Sequence, residues 1–422
     1  MNTSQEPRPV VAIVDAFSTA SHLAPLFHAQ GYDCLHVQSL EQPPAVFGAS
    51  FRAQDFLGTV VHRGDIAETL AAIAPYVPVA LLAGAEIGVE LADVLSESLR
   101  LRTNGTALST ARRDKFRMVE TVKAAGVPAA DQILATDLDT LLAWYGDTDR
   151  TVVLKPVRSA LNDGVFFCGT AEEVRTAFES LVGADSALGL RNDAVVAQEY
   201  LVGAEYYVNT VSLDGKHYVC DLWKTQHLGV NGVRDLLGGS ALMVRRGPEQ
   251  DLLAEYAFSV LDALGIKNGP AHTELKLTPE GPRLVETGAR VCGAMLPLLT
   301  RAATGESQLE WTVLAYTDPE AFEARLHADS ADYEVVRHAV CVNMIAPEGG
   351  KLVGYPKLSD LRALESFHDV LVKVRPGEEL ARTVNDLTYP LLVHLLHEVE
   401  GVVTHDYMTA RYLDGEGFYD VA

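Results

Sequence analysis

Two glutamates and an arginine lie close together in the sequence between residues 271 and 293. Glu274 and Glu286 belong to two short segments in which apolar and polar residues alternate, the pattern of a strand with one covered face. Residues 278–281 read Thr-Pro-Glu-Gly, with proline at the second position of a type I turn and a glycine able to form a bulge. The segment therefore predicts a β-hairpin, with Arg290 just beyond it.

The predicted register brings the two glutamates together. A bulge at Gly281 gives three cross-strand pairs: Thr278 with Pro282, Lys276 with Leu284, and Glu274 with Glu286. The Cβ atoms of such neighbours lie about 4.5–5.5 Å apart, where like charges are destabilising. A cation between the carboxylates would remove the conflict, and an all-oxygen site suits Mg²⁺. The alternative is a solvated hairpin face on which Lys276 neutralises one carboxylate, and the hairpin alone leaves both interpretations open.

A third candidate is Lys155, which stands in the otherwise apolar segment 151–157. A buried ammonium is costly without a partner, so one interpretation is a phosphate ligand and the other is a strand end whose amine reaches water. The polar residues from Ser159 to Gly164 then lead into another apolar strand. Such a hairpin could bind phosphate oxygens through backbone N–H groups. It is not a Walker A loop, since G-x-x-x-x-G-K-[ST] occurs nowhere in the sequence.

The segment 198–208 surrounds a predicted break between two strands at Gly203. A connector of this kind can offer backbone groups to an adenine edge and Glu205 to ribose hydroxyls, although a β-turn with solvated acids is favoured for the segment alone. His227 stands in a glycine-containing segment, residues 224–235, for which a surface loop is favoured over a mobile lid.

The elements that must position these residues fall into successive units. Over roughly the first 110 residues, apolar strands alternate with helices, which predicts a doubly wound α/β domain. No G-x-G-x-x-G follows the first strand, so the dinucleotide-binding fingerprint is absent. Ser109 or Thr110 is predicted to cap a helix that ends at Gly126. An α+β unit follows, and the remaining chain mixes strands with a helix at 252–265 and another near 407–413.

Composition excludes several classes of protein. The 422 residues suffice for two or three domains, and the net charge of −23 argues against binding a nucleic-acid backbone. The five cysteines are scattered, without zinc-ligand spacing, which suits a reducing compartment. No signal peptide and no apolar run long enough for a membrane span are present in the sequence. We therefore expect a soluble, cytoplasmic protein.

Taken in chain order, these features resemble the ATP-grasp superfamily, and most closely its carboxylate–amine ligases that join amino acids. The resemblance extends over the whole chain and includes Lys115 on the capped helix. It implies an ATP-grasp fold with three parts: an N-terminal α/β domain at 1–112, a small central lid at 113–201, and a larger C-terminal α+β domain at 202–422.

The resemblance also implies roles for individual residues. The expected ATP-binding residues are Lys115, Lys155, Ser159, Gly164, Gln198, Glu199, Leu201 and Glu205. Of these, the lysines and the loop from Ser159 to Gly164 would bind phosphates, Glu199 and Leu201 would meet adenine through their backbone, and Glu205 would bind ribose. Glu274 and Glu286 would hold Mg²⁺, with two ions expected and Mn²⁺ as an alternative. Arg290 would stabilise the acyl phosphate and the tetrahedral intermediate.

The sequence departs from the family pattern at two places. The metal-binding strand usually reads E-x-N-x-R, whereas here it reads Glu286-Thr287-Gly288-Ala289-Arg290. Gly288 removes a side-chain ligand, so water or another group must complete the coordination of one metal. The phosphate loop is also poor in glycine, with Leu161 and Asn162 in its middle, which suggests altered loop mobility.

The resulting functional hypothesis is an ATP-dependent ligase that joins an amino acid carboxylate to an amine through an acyl phosphate. One alternative is the same chemistry on a non-amino-acid carboxylate or an unusual nitrogen nucleophile. Others are carboxylation that uses a separate biotin carrier, and a nucleotide-binding protein without turnover. The expected partners are small molecules, with no nucleic acid and no membrane, and the oligomeric state is left open, a homodimer included. The substrate pocket is expected among the loops after Arg290 and in residues 223–242.

Overall fold

The computed structural model describes residues 7–44, 48, 50–146, 150–159, 162–186, 189–328, 332–415 and 417–422. Leu161, in the middle of the predicted phosphate loop, lies outside these ranges. Within them, no helix has both the length and the apolar character needed to cross a bilayer.

The N-terminal unit is built on a four-stranded parallel sheet. Its elements are β1 (Val10–Val14), α1 (Leu23–Ala29), β2 (Asp33–Gln38), β3 (Thr59–Val61), α2 (Ile66–Ile73), β4 (Pro78–Ala83) and α3 (Val89–Ser98). The strand order is β3-β2-β1-β4, and β1 is buried along its whole length. Alternate β1 residues pack against α1 on one face and against α2 and α3 on the other. The predicted doubly wound α/β arrangement is thus confirmed.

The helix that carries Lys115 begins later than predicted. It is α4 (Lys115–Ala124), and its N-cap is Asp114, whose carboxylate accepts the backbone N–H of Arg117. The prediction of a cap at Ser109 or Thr110 was wrong, because residues 110–112 form a separate 3₁₀ turn. The consequence is that Lys115 occupies the first helical position, next to the central sheet, where its backbone N–H donates to Val157 O over 3.0 Å.

A small antiparallel sheet forms the central unit. Its elements are β5 (Gln132–Ala135), α5 (Leu138–Tyr145), β6 (Val152–Pro156), β7 (Phe166–Cys168), α6 (Ala171–Leu181) and β8 (Val195–Glu199), with strand order β5-β8-β6-β7. Val152 and Leu154 of β6 pack into the apolar core under α5 and α6. Because side chains alternate along a strand, Lys155 lies on the opposite face, with its amine available to the interior of the molecule.

The remaining chain forms an eight-stranded sheet with helices and a small three-stranded sheet. The elements in chain order are β9 (Ala204–Leu213), β10 (Lys216–Val230), β11 (Val233–Leu242), α7 (Pro248–Ala263), β12 (Gly269–Thr278), β13 (Gly281–Gly288), α8 (Leu296–Thr304), α9 (Gln308–Thr317), α10 (Pro319–Leu326), β14 (His338–Asn343), β15 (Gly350–Gly354), α11 (Leu358–Arg362), β16 (Phe367–Val372), β17 (Glu379–Leu380), β18 (Leu391–His397), α12 (Glu400–Leu413) and β19 (Asp420–Val421). The large sheet has the order β13-β12-β9-β10-β11-β14-β18-β16, and the small sheet the order β17-β15-β19.

The chain passes from the central sheet to the large sheet at Gly203. A Cβ atom at this position would lie 2.2 Å from the carbonyl oxygen of Leu277 in β12. Only glycine fits so close an approach of two backbones. The predicted strand break at Gly203 is confirmed, and it lies directly against the strand that carries Glu274.

The predicted pairing of the two glutamates is confirmed, but part of the register was wrong. The observed pairs are Thr278 with Gly281, Leu277 with Pro282, Lys276 with Arg283, Leu275 with Leu284, and Glu274 with Glu286. The turn is therefore one residue shorter than predicted, and the extra residue is Val285, where the register shifts. The shorter turn and the bulge at Val285 offset each other, because one extra residue anywhere between the turn and the glutamates produces the same Glu274–Glu286 pair.

The segment around His227 is a strand rather than the surface loop that was favoured. His227 lies in β10, which pairs with β11 across a turn at Asn231 and Gly232, both with positive φ. Asn-Gly between valines is a strong hairpin signal. The register places His227 on the large sheet.

Candidate active site

A cavity of about 150 Å³ lies between the central sheet and the large sheet. All but one of the predicted site residues line it: Lys115, Lys155, Ser159, Gln198, Glu199, Leu201, Glu205, Glu274, Glu286 and Arg290. The exception is Gly164. It has φ +71°, and a Cβ there would lie 2.8 Å from Pro156, so this position favours glycine for the backbone of the loop.

Two lysines meet at one end of the cavity. Lys155 donates to the side-chain oxygen of Gln198 over 3.1 Å, and Lys115 forms an ion pair with Glu286. Burial, followed by the positive charge of Lys115, lowers the pKa of Lys155 to about 8. Two buried ammonium groups with so few partners make this end of the cavity suited to an anion such as a phosphate group.

Part of the cavity wall is apolar. It is formed by Val153, Val165, Phe167, Tyr200 and Leu201, from the central sheet and the connector that follows it. The carboxylate of Glu199 accepts the backbone N–H of Asp131 over 2.7 Å, which ties the connector to β5. A flat apolar slot beside fixed backbone is suited to an aromatic ring such as a nucleobase.

Glu205 is part of an ionic cluster that the sequence analysis missed. Lys276 Nζ lies 2.7 Å from Asp235 Oδ2 and 3.6 Å from Glu205 Oε2. His227 contacts the same two carboxylates, at 3.2 Å from Asp235 and 3.6 Å from Glu205. Burial raises the pKa of Glu205. For Asp235, burial is outweighed by the hydrogen bond from Lys276 together with the charges of His227 and Lys276, and the pKa is lowered. Residues two apart in a strand lie on the same face, so the spacing of Glu274 and Lys276 indicates that both face the cavity.

Glu274 and Glu286 face the cavity from neighbouring strands, and each already has a cationic or polar partner. Lys115 contacts Glu286, and His272 Nε2 lies 3.1 Å from Glu274 Oε1. Within the described residues, no group of three histidine, cysteine, aspartate or glutamate side chains could hold a metal ion. Two carboxylates nevertheless fit Mg²⁺, which usually takes one or two carboxylates together with water and substrate phosphates. The donor set is therefore compatible with Mg²⁺ bound jointly with a nucleotide.

The space beside Gly288 is filled from the N-terminal unit. Glu86 Oε2 lies 3.0 Å from Arg290 Nε, and Glu86 Oε1 pairs with Arg113. A Cβ added at Gly288 would lie 2.5 Å from Glu86 Oε2. The two arginines overcome the effect of burial and lower the pKa of Glu86, so this carboxylate is ionised. Arg290 is thus held in place by a residue about 200 positions away in the sequence, for which the sequence pattern gave no signal.

Comparison with known proteins identifies this architecture. The profile of the ATP-grasp domain matches residues 148–297, which include both carboxylates of the hairpin. Dapdiamide A synthase of Enterobacter agglomerans is 32% identical over 422 residues, which cover 98% of this chain and 97% of the relative. The chain belongs to the ATP-grasp family.

Two L-amino acid ligases are also similar to this chain. An L-arginine-specific L-amino acid ligase of Bacillus subtilis is 23% identical over 49% of this chain and 50% of its own length. The crystal structure of an L-amino acid ligase from Bacillus licheniformis superposes with a TM-score of 0.77 at 15% identity, over 99% of this chain and 100% of that one. The ATP-grasp fold expected from the sequence is confirmed. The protein is an ATP-dependent ligase that joins a carboxylate to an amine.

Proposed function

We propose that the protein joins the carboxylate of one amino acid to the amino group of another through an acyl phosphate, with release of ADP and phosphate. One observation carries this proposal. The cavity that contains the two lysines and the paired glutamates adjoins a second cavity of about 340 Å³, and Glu274 and Arg290 line both. This arrangement supports a site for the phosphate end of ATP next to a site for small organic substrates.

In this proposal the residues of the first cavity bind ATP. Lys115 and Lys155 neutralise the phosphates, with the loop from Ser159 to Gly164 over them, and Glu205 accepts hydrogen bonds from the ribose. The apolar slot receives adenine, beside the backbone of Glu199 and Leu201. The segment 113–201 acts as the lid. Support comes from the two ammonium groups and the apolar part of the wall, which line the same cavity.

Glu274 and Glu286 are proposed to hold Mg²⁺, with two ions as the resemblance implies and Mn²⁺ as an alternative. When bound, the metal offsets negative charge on the transferring phosphoryl group. Before the nucleotide enters, Lys115 beside Glu286 and His272 beside Glu274 reduce the repulsion between the two carboxylates.

The chemistry then takes place at the junction of the two cavities. An oxygen of the substrate carboxylate forms a bond to the γ-phosphorus as the bond to the ADP oxygen breaks. The nitrogen of the amine next bonds to the acyl carbon, and the carbon–oxygen bond to phosphate breaks. Arg290, whose Nε donates to Glu86 and whose Nη1 donates to the backbone oxygen of Val291, directs Nη2 at the oxygen on which negative charge develops. Enclosure between two sheets protects the acyl phosphate from water.

A phosphate-release screen of amino acid pairs tests the proposal. The expected result is that phosphate release requires two amino acids, with ADP as the nucleotide product and one amide formed per ADP. AMP as the product, or ATP turnover that is unchanged without either amino acid, would overturn it. Mass spectrometry of the positive wells identifies the amide directly.

We also propose that the reaction takes place in the cytoplasm. All five cysteines are buried and unpaired, as expected for a chain that folds under reducing conditions. Unchanged activity and no mixed disulfides in a strong reductant would agree with this proposal, and loss of activity there would contradict it.

A further inference from the structure

The lining of the second cavity indicates which kind of ligand it can bind. It is continuous with the nucleotide cavity, because Tyr207, Leu237, Glu274, Arg290 and Asp386 line both. Away from that junction its wall is mainly apolar and includes Met295, Leu296, Leu371, Leu387, Tyr389 and Leu392. A volume of about 340 Å³ is at the lower end of the range for small-molecule sites, so the cavity fits a compact ligand with an apolar part.

One lysine and one aspartate give this apolar cavity a polar edge. Lys373 donates from Nζ to the backbone oxygen of Asp386 over 2.8 Å, so the two residues are neighbours in space. Asp386 Oδ1 accepts the side-chain N–H of Asn162, at 3.2 Å, from the predicted phosphate loop. Neither of these hydrogen bonds uses Asp386 Oδ2. Both an ammonium and a carboxylate are thus available at one side of the cavity.

The charges near the junction distinguish the two substrates. The carboxylate to be activated must approach the γ-phosphate, where Arg290 supplies positive charge. Asp386 repels a carboxylate but attracts an ammonium, and it lies where the two cavities meet. Burial raises the pKa of Asp386, which makes its carboxylate a better proton acceptor than an exposed aspartate.

On the basis of the proposed function, we propose that this cavity binds the amine-donating substrate as a zwitterionic α-amino acid with an apolar side chain. Lys373 binds its α-carboxylate, Asp386 binds its α-ammonium, and the leucine-rich wall receives its side chain. In forming the amide, the nitrogen of the ammonium loses two protons. Asp386 accepts the first and passes it to water, and the second leaves with the phosphate group as the carbon–oxygen bond breaks.

The proposal is tested with L-leucine and L-leucinamide as amine donors, the second of which lacks the α-carboxylate. The carboxylate donor is the one found in the phosphate-release screen. In the wild type, the KM of L-leucinamide is expected to exceed that of L-leucine by about tenfold or more, the effect of one charge-assisted hydrogen bond. Lys373→Met should raise the KM of L-leucine by a similar factor and leave that of L-leucinamide unchanged, and Lys373→Arg should restore L-leucine. A KM that Lys373→Met raises equally for both donors would overturn the role of Lys373.

Asp386→Asn should lower kcat with both donors, by about tenfold or more. Hydroxylamine provides the second measurement, because it is small, carries no α-carboxylate and is uncharged at neutral pH. It traps the acyl phosphate as a hydroxamate without needing the cavity, so hydroxamate formation should be unchanged in both variants. Lys351→Met and Asp360→Asn, at exposed positions outside the cavity, serve as matched controls.

The outcomes separate the two proposals. If the wild type forms no hydroxamate with any carboxylate donor, the proposed function fails. If hydroxamate forms but the variants use L-leucine as well as the wild type does, the amine site is wrong and the proposed function stands. If Asp386→Asn lowers hydroxamate formation as much as amide formation, Asp386 serves the carboxylate donor, which also overturns the inference.

Discussion

Glu86 Oε2 lies 3.0 Å from Arg290 Nε and occupies the place where a side chain at position 288 would begin. In the sequence, Gly288 stands where the family pattern has a metal ligand. In the structure, the carboxylate of Glu86, from another part of the chain, occupies the space that a side chain there would need. Glu86 is buried and paired with both Arg113 and Arg290. A side chain at Gly288 would have to displace an ion pair rather than fill an empty space.

Gly288→Ala is expected to destabilise the protein by about 1–3 kcal/mol, the usual cost of overpacking, and to lower kcat by disturbing Arg290. The cost should be at least 1 kcal/mol smaller in a Glu86→Ala background, because the clashing carboxylate is gone. Urea unfolding of the four proteins in this double-mutant cycle measures the coupling. Gly401→Ala, at a helix position with open space, is the control and should not destabilise. Strictly additive energies would show that the two residues do not interact.

Glu286→Gln is expected to reduce ADP formation by about 100-fold or more while nucleotide binding remains detectable, since one charge at the phosphoryl-transfer site is lost and the volume is retained. Coupled ADP detection and a fluorescent-nucleotide titration give the two readouts. Glu280→Gln, at the exposed tip of the same hairpin, should behave as wild type. An activity within tenfold of the wild type would contradict the role proposed for Glu286.

The affinity for ATP should fall above pH 8. The pKa of Lys155 is lowered to about 8, mainly by burial, so the free protein loses this positive charge above that pH. Binding of phosphate must then restore the proton, and each further pH unit weakens binding by up to about tenfold. Titration of a non-hydrolysable ATP analogue between pH 7 and 9.5 measures the slope. In Lys155→Met the binding should be weaker and flat over this interval, and a wild-type affinity that is also flat would refute the assignment.

Arg112→Met is expected to destabilise the protein by about 3–5 kcal/mol, because it leaves the buried carboxylate of Asp93 without its cation. Arg112 is 1% exposed and lies 2.7 Å from Asp93. It also donates to the backbone oxygens of Leu264 and Gly265, which join the N-terminal unit to the segment before β12. The midpoint of urea unfolding measures the loss. Arg117→Met, an exposed control, should change the midpoint little, and an equal effect of both variants would contradict the expectation.

The sequence was sufficient for those features that depend on local pattern. The buried run of β1, the strand that carries Lys155 and the break at Gly203 follow from hydrophobic periodicity and from the conformational freedom of glycine. Their order along the chain carried the resemblance to the ATP-grasp family, and that resemblance implied the fold and the type of reaction. The Glu274–Glu286 pair was also predicted, although the bulge at Val285 rather than at Gly281 produces it.

What the sequence could not supply depends on distant parts of the chain coming together. Glu86 meets Arg290 across about 200 residues, and no spacing rule connects them. The proposed amine site depends on Asp386 lying beside Asn162 of the predicted phosphate loop, which only tertiary packing determines. The wrong prediction of a surface loop at His227 has another cause. The Asn231-Gly232 pair is a strong hairpin signal that the sequence itself contains, and it forms the turn between β10 and β11.

Gly203 limits the exchange of the central unit between this enzyme and its relatives. The connector between the central and the large sheet passes so close to β12 that a Cβ would come within 2.2 Å of Leu277 O. The central unit is therefore not an interchangeable module. A chimera that takes this unit from a relative must retain glycine at the crossing, or the strand that carries Glu274 and Lys276 will be displaced along with the connector.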